Sequence, residues 1–235
     1  MFGNSTNLSK TDILSQHEFF SDLPARQIQQ LAARTRSIAY SAGDPIFRKG
    51  EEGHGLLAVL SGVVRISVTS KGSKEIVLNL IGKGEIFGEI ALLDGGLRTA
   101  DASALTNCIL MVLDRRDFIH LLMHEPAATI KILEVICRRL RRTTKQVEDL
   151  SLGNMQKRLA NALLQIAGAQ GTITATEPRL EITQKELGNM LGLSRESTNR
   201  HLREWEDAGL LALEKGVCII KNPRHLIRLA KSPAK

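Results

Sequence analysis

Between Ile38 and Leu113 the apolar residues come in short runs separated by turn-forming residues. Ile46-Phe47, Gly55 to Leu60, Val63 to Val68, Glu75 to Leu80 and Cys108 to Leu113 are apolar or alternate with polar positions. Ser41-Ala42-Gly43-Asp44, Lys71-Gly72-Ser73 and Gly82-Lys83-Gly84 stand between them. Runs of this length, bounded by glycine and small polar residues, predict antiparallel strands folded into a sandwich or roll. Ahead of them, Pro24 to Arg34 reads as a short amphipathic helix with Ile28 and Leu31 on one face. From Pro126 to Leu150 the period changes. Leu133, Ile136, Leu140, Thr143, Val147 and Leu150 recur at spacings of three and four, the a/d stripe of a coiled coil. Arg138, Arg139, Arg141, Arg142 and Lys145 lie between them as a solvated face, and Thr143 is the one polar residue on the stripe. From about Gly153 the chain is helical again, and Leu210 to Leu213 and Val217 to Ile220 flank Glu214-Lys215-Gly216 as a two-stranded hairpin.

Composition adds little to the fold but narrows the partner. With 3% aromatic residues among 43% hydrophobic ones, the core is expected from Leu, Ile, Val and Ala. The net charge of +7 is uneven: residues 152–235 hold 13 Lys and Arg against 8 Asp and Glu, and the remainder 19 against 17. A basic C-terminal region suits a polyanion. Cys108, Cys137 and Cys218 are too far apart for a disulfide framework or a zinc site, and are expected as buried thiols of a reducing cytosol. No basic segment followed by an apolar stretch opens the chain, and the longest apolar run, Gly55 to Val64, is too short to span a bilayer. A soluble cytoplasmic protein without a membrane partner follows as the expectation. No hydrolytic triad, metal-ligand spacing or nucleotide-hydrolysing loop is present, so an enzyme is not expected. His120 and His124, at i and i+4 ahead of Pro126, read as decoration of a helix end.

The C-terminal region carries the sharper signal. Thr183-Gln184-Lys185-Glu186 has the form of a capping box, and the helix it starts is expected to bury Leu187, Met190 and Leu191. Gly192 allows a tight turn, and Ser194 suits the cap of a second helix from Arg195 to about Ala208. Thr198, Leu202 and Trp205 then face inward, leaving Arg195, Glu196, Asn199, Arg200 and Arg203 outward. Long polar side chains at the start of the second helix of such a pair fit a DNA major groove, where Arg can bond guanine O6 and N7 and Glu can accept from cytosine N4.

Upstream, Phe87-Gly88-Glu89-Ile90-Ala91-Leu92-Leu93 is followed by Arg98-Thr99. Gly88 would let a backbone N–H approach an anion, residues 88 to 92, with Ile90 and Ala91, can form a short helix, and Arg98 supplies a fork for phosphate oxygens. Glu89 is better placed to accept from a hydroxyl than to face a phosphate, and Thr99 is a neutral donor.

Gly192 to Arg200 resembles the recognition segment of the Crp/Fnr regulators, and the 87–99 segment is similar to the phosphate-binding cassette of cyclic-nucleotide domains. The likeness runs from roughly Asp12 to Arg224 and is strongest to the cyclic AMP receptor branch of the family. It implies an α+β fold: an N-terminal cyclic-nucleotide-binding, jelly-roll-like β-roll with short helices (1–125), a long dimerisation helix (126–151) and a C-terminal winged helix-turn-helix (152–235). It implies that Arg195, Glu196 and Arg200 touch base edges of a TGTGA-like half-site and that Ser194 and Ser197 touch phosphates, with Thr183, Gln184 and Asn199 beside them. Gln184 departs from the family, which has an arginine there near a phosphate. In the sensor it implies Gly88, Glu89, Ile90, Ala91, Arg98 and Thr99 around the ligand. Thr143 would bond the purine of its own subunit and Thr144 that of the partner.

A homodimer gated by cAMP and binding palindromic double-stranded DNA, with RNA polymerase as a further partner and no metal, is the resulting expectation. The alternatives are a cGMP-responsive or effector-independent regulator of the same fold. An iron–sulfur sensor lacks its cysteines, since none precedes Cys108, and the haem candidate His54 has no cysteine near it.

Overall fold

The computed structural model describes residues 9–17, 19–69, 75–152 and 155–231, with the side chains at 142 and 145–152 outside the description. The turn Lys71-Gly72-Ser73, Gly153, and the side chains of Arg142, Lys145, Val147 and Leu150 therefore lie outside the described residues. The chain divides into two compact units, Met1–Val64 with Lys83–Leu140, and Arg65–Gly82 with Arg141–Lys235.

In the first unit, α1 (Lys10–Gln16) begins at a capping box between Ser9 and Asp12, and α2 (Ala25–Ala33) buries Ile28, Leu31 and Ala32. Strand β1 (Arg36–Tyr40) pairs antiparallel with β8 (Cys108–Asp114), which pairs antiparallel with β3 (Gly55–Ser61). Short β6 (Ile86–Phe87) closes this sheet in the order β1-β8-β3-β6. Strands β3 and β8 are buried over most of their length, which explains why both read as nearly continuous apolar runs. In the second sheet β2 (Pro45–Phe47) pairs with β7 (Asp101–Ala104). Helix α3 (Glu89–Asp94) follows β6, and α4 (Arg115–His124) and the part of α5 (Pro126–Leu152) up to Leu140 complete the unit.

The core of this unit departs from the composition-based expectation. Phe19, Phe20 and Phe118 are almost wholly buried, and adjacent rings meet edge-on at centroid separations of 6.1 and 6.0 Å. Such edge-to-face pairs add to the area they bury. Few aromatics thus suffice because three of them are concentrated at one place, beside Leu56, Leu113 and Val135.

Helix α5 is two-faced. Ile132 and Val135 are buried in the same core, whereas Ile130, Leu133 and Leu140 are 61%, 59% and 65% exposed. Ile136 does not join the exposed stripe: it is half-buried against its own core. The outward apolar line therefore runs Ile130, Leu133, Leu140.

The second unit contains strands β4 (Val64–Thr69, counted from Arg65) and β5 (Glu75–Ile81), which neighbour each other, together with the C-terminal elements. Asn79 Oδ1 accepts from Gln165 at 2.6 Å and Glu75 accepts from Asn189 at 3.1 Å. Helices α6 (Met155–Ala169), α7 (Gln184–Leu191), α8 (Arg195–Asp207) and α9 (Pro223–Lys231) pack with a small sheet. That sheet has three strands rather than the two expected: β9 (Arg179–Glu181), β10 (Leu211–Glu214) and β11 (Val217–Ile220), in the order β10-β11-β9. β9 is three residues long with one buried side chain, Leu180, so it left no periodic signal.

Candidate functional site

The first candidate surrounds Gly88. Its φ of 82° lies in the left-handed region, and a Cβ there would stand 2.6 Å from Arg98 Nη1. Only glycine satisfies both constraints. The Arg98 side chain is buried, at 7% exposure. Its Nη1 donates to the Gly88 carbonyl at 2.8 Å, its Nη2 donates to the Gly55 carbonyl at 3.1 Å, and its Cζ lies 4.2 Å from the Phe47 ring centroid. Its Nε is buried with no hydrogen-bond partner. Burial pushes the guanidinium below its usual pKa, against the opposing charges of Glu89 and Glu51. Backbone bonds hold the loop beside it: Arg98 N donates to Glu51 O at 2.8 Å and Gly50 N to Arg98 O at 2.9 Å.

Glu89 is equally enclosed, at 6% exposure, and its carboxylate is ion-paired with Arg139 at 2.5 Å. Arg139 also donates to the Ile86 carbonyl at 2.8 Å and lies over the Phe19 ring. The sequence places Arg139 on a solvated face, and the structure corrects this: it holds the cassette carboxylate. Fifty residues separate the partners, and no local pattern links them.

Of the remaining cassette residues, Ala91 is buried, whereas Ile90 is 48% exposed and Thr99 is exposed. Thr143 and Thr144 are exposed positions on α5, within the second unit. The structure thus brings Gly88, Glu89 and Arg98 together with Arg139, a residue that sequence reasoning missed.

The second candidate is the α7–α8 pair. Thr183 Oγ1 accepts from Glu186 N at 3.2 Å while Glu186 accepts from Thr183 N at 2.8 Å, so both halves of the capping box are formed. Gly192 takes the left-handed conformation at φ 68°, and Ser194 Oγ accepts from Ser197 N at 3.2 Å to cap α8. Thr198, Leu202 and Trp205 are buried. Thr198 satisfies its hydroxyl by donating to the Ser194 carbonyl at 2.9 Å.

Gly188 sits at a close approach of the two helices. A Cβ there would lie 3.0 Å from Thr198 Oγ1 and 3.2 Å from Leu193 O, so its absence lets the two helices approach closely. Met190, expected in the core, is only half-buried. Arg195, Glu196, Arg200 and Arg203 are exposed, and Ser194 is exposed beside them. Asn199 is half-buried and accepts from Gln184 at 3.1 Å, so these two amides brace α7 against α8. The face is therefore a row of charged side chains on a helix fixed by buried neighbours, with a hairpin turned by Lys215 and Gly216 following it.

Cys108 and Cys218 are buried, and Cys137 is exposed, contrary to the expectation for all three. Burial pushes the Cys218 thiol up to about 12, helped by the charge of Glu206. Among the described residues, no group of three or more His, Cys, Asp and Glu is placed to hold a metal, and no helix is long and apolar enough to cross a membrane.

Two family models match the chain: a cyclic nucleotide-binding domain over residues 37–125 and a Crp-like helix-turn-helix domain over residues 157–229. A cyclic AMP receptor protein of Thermus thermophilus is 35% identical over 211 residues, covering 90% of this chain and 95% of its own. A CRP-like cAMP-activated global transcriptional regulator of Mycobacterium tuberculosis is 29% identical over 222 residues, covering 94% and 99%. Among solved structures, a catabolite activator protein of Thermus thermophilus superposes with a TM-score of 0.53 at 31% identity, covering 91% of this chain and 98% of that one.

Proposed function

The chain belongs to the Crp/Fnr family of cyclic-nucleotide-binding transcription regulators, and on that premise we propose that it is a homodimer that binds cAMP through the Gly88–Thr99 cassette and palindromic DNA through α8. The observation that carries the ligand is Arg98. A buried cation whose guanidinium retains an unpartnered N–H, walled by a glycine that a Cβ would destroy, fits a phosphate anion. Glu89, enclosed nearby and held by Arg139, suits the vicinal hydroxyl of a ribose. Gly88, Ile90, Ala91 and Thr99 complete the cradle, largely through backbone groups. Thr143 and Thr144 would meet the purine from the two subunits.

In the reader, Arg195, Glu196 and Arg200 contact base edges, and Ser194 and Ser197 contact phosphates. Gln184 and Asn199, bonded to each other, hold the α7–α8 angle, and Thr183 secures the start of α7. A second copy covers the outward line of Ile130, Leu133 and Leu140, since three large apolar side chains along one helix edge favour burial. The three-part division at residues 125 and 151, a cytoplasmic site of action, contact with RNA polymerase and the lack of enzymatic turnover belong to the same proposal.

Sedimentation of the full chain with a palindromic TGTGA-type duplex, with and without cAMP, tests it. A two-chain complex that forms at lower protein concentration when cAMP is present is the expected result. Equal binding with and without cAMP would leave an effector-independent regulator, and stronger gating by cGMP would reassign the ligand.

A further inference from the structure

Arg115, the first residue of α4, makes two bonds that mirror those of Arg98. Arg98 ties the start of α3 to the start of β3, donating to the Gly88 and Gly55 carbonyls at 2.8 and 3.1 Å. Arg115 ties the other end of α3 to the same segment. Its Nε donates to the Leu92 carbonyl at 2.9 Å, and its backbone N–H donates to the His54 carbonyl at 2.9 Å. Between the two clamps the tied pieces touch. A Cβ on Gly53 would stand 2.5 Å from the Ala91 Cβ, so α3 lies directly on the 53–55 segment.

The Leu92 carbonyl depends on this donor. The last four carbonyls of a helix have no partner within it, and α3 has six residues. Leu92 is wholly buried, so water does not replace the bond that Arg115 makes. The helix ends on Gly95, left-handed at φ 73°, and a Cβ there would lie 3.7 Å from Arg115 Nη2. A helix this short does not stand alone, so its place is set by what holds it.

We infer that Arg115 is a positioning residue for the anion site: it fixes α3 on the 53–55 segment, and with it Gly88 and Glu89, in the placement that Arg98 closes. Its side-chain bond lies at the end of α3 opposite Gly88, so it acts through the helix and not on the ligand. A ligand that needs α3 in place binds with a Kd raised by the inverse of the fraction of chains in which α3 is held. The inference rests on the cyclic-nucleotide reading for the identity of that ligand, but not for the placement of α3. Twenty-three residues separate Arg115 from Leu92, and its chain neighbours Asp114 and Arg116 are exposed charges, so the sequence marks it as surface.

The test is hydrogen–deuterium exchange of the full chain without nucleotide, paired with calorimetric cAMP titration, for the parent, Arg115→Met and Arg115→Lys. Methionine keeps an apolar stem and the backbone N–H to His54 but has no donor for Leu92; lysine keeps a cationic donor. Losing one charge-assisted bond shifts an equilibrium by about tenfold. In Arg115→Met, amides of residues 89–95 should therefore exchange about tenfold faster while those of β3 and β8 keep their parent rates. cAMP should bind it about tenfold more weakly, and Arg115→Lys should recover most of both effects. Parent exchange rates across 89–95 in Arg115→Met overturn the inference. So does a rise shared with β3 and β8, which would make Arg115 a general stabiliser, or an equal effect of lysine and methionine. Faster exchange with cAMP affinity unchanged overturns it too. A parent that binds no cAMP overturns the ligand reading instead, and the exchange rates alone then decide the placement of α3.

Discussion

Replacing Arg98 with Met separates a ligand-binding role from a structural one, because the two roles predict opposite results. Methionine keeps an apolar stem against Phe47 and removes the guanidinium. In the unliganded protein the change has two opposing consequences. It deletes donors to Gly88 O and Gly55 O, each charge-assisted bond being worth about 1.5–3 kcal/mol net. It also removes a cation whose burial disfavours its charged form, a penalty of several kcal/mol in protein interiors. These only partly offset, because the two carbonyls are left without their donor, so unfolding stability should fall by about 1–3 kcal/mol.

Ligand affinity has no such compensation. A lost charge-assisted contact to phosphate, at about 3 kcal/mol, corresponds to roughly a hundredfold in Kd. Urea denaturation without nucleotide, paired with calorimetric cAMP titration, measures both quantities on one preparation. A large fall in stability with unchanged cAMP affinity would refute the assignment and make Arg98 a structural brace of the 50–55 loop.

Three further expectations follow from the same geometry. Arg139→Met should destabilise the protein by about 1–3 kcal/mol by leaving Glu89 enclosed without its cation; adding Glu89→Gln should recover stability in urea but not cAMP affinity. Arg195→Ala should relax specificity at one base position of the operator by about 1–3 kcal/mol, read by anisotropy on single-base variants, whereas a uniform loss on every duplex would make it a phosphate contact. The Cys218 thiol titrates near 9.0 when unfolded and at about 12 when folded, so above pH 9 the unfolded chain releases its proton first and stability falls as pH rises. Cys218→Ala should therefore flatten the decline in urea midpoint between neutral and alkaline pH; an unchanged slope would assign the decline to other groups.

How much was legible in the sequence depended on the range of the interaction. The capping box of Thr183 and Glu186, the Gly192 turn and the Ser194 cap are settled within three or four residues, so each left a readable pattern. Long apolar strands such as β3 and β8 announced themselves by composition. Short strands such as β7 and β9, with little buried side chain between turns, did not. The Glu89–Arg139 pair joins residues fifty positions apart and depends on how α5 lies on its own core, which periodicity cannot supply. The same packing drew Ile136 off the exposed stripe, although its spacing fits the heptad. The assignment of residues 65–82 to the C-terminal unit, through Asn79–Gln165 and Glu75–Asn189, is likewise tertiary.

Coupling of a cyclic-nucleotide site to a DNA-reading helix within one chain is measured by calorimetric titration of cAMP with and without a palindromic TGTGA-type duplex. One cAMP per chain is expected, with tighter cAMP binding in the presence of the duplex by the same factor by which cAMP tightens the duplex, as linkage requires. Duplex binding with no cAMP binding at all, or two affinities indifferent to each other, would contradict it.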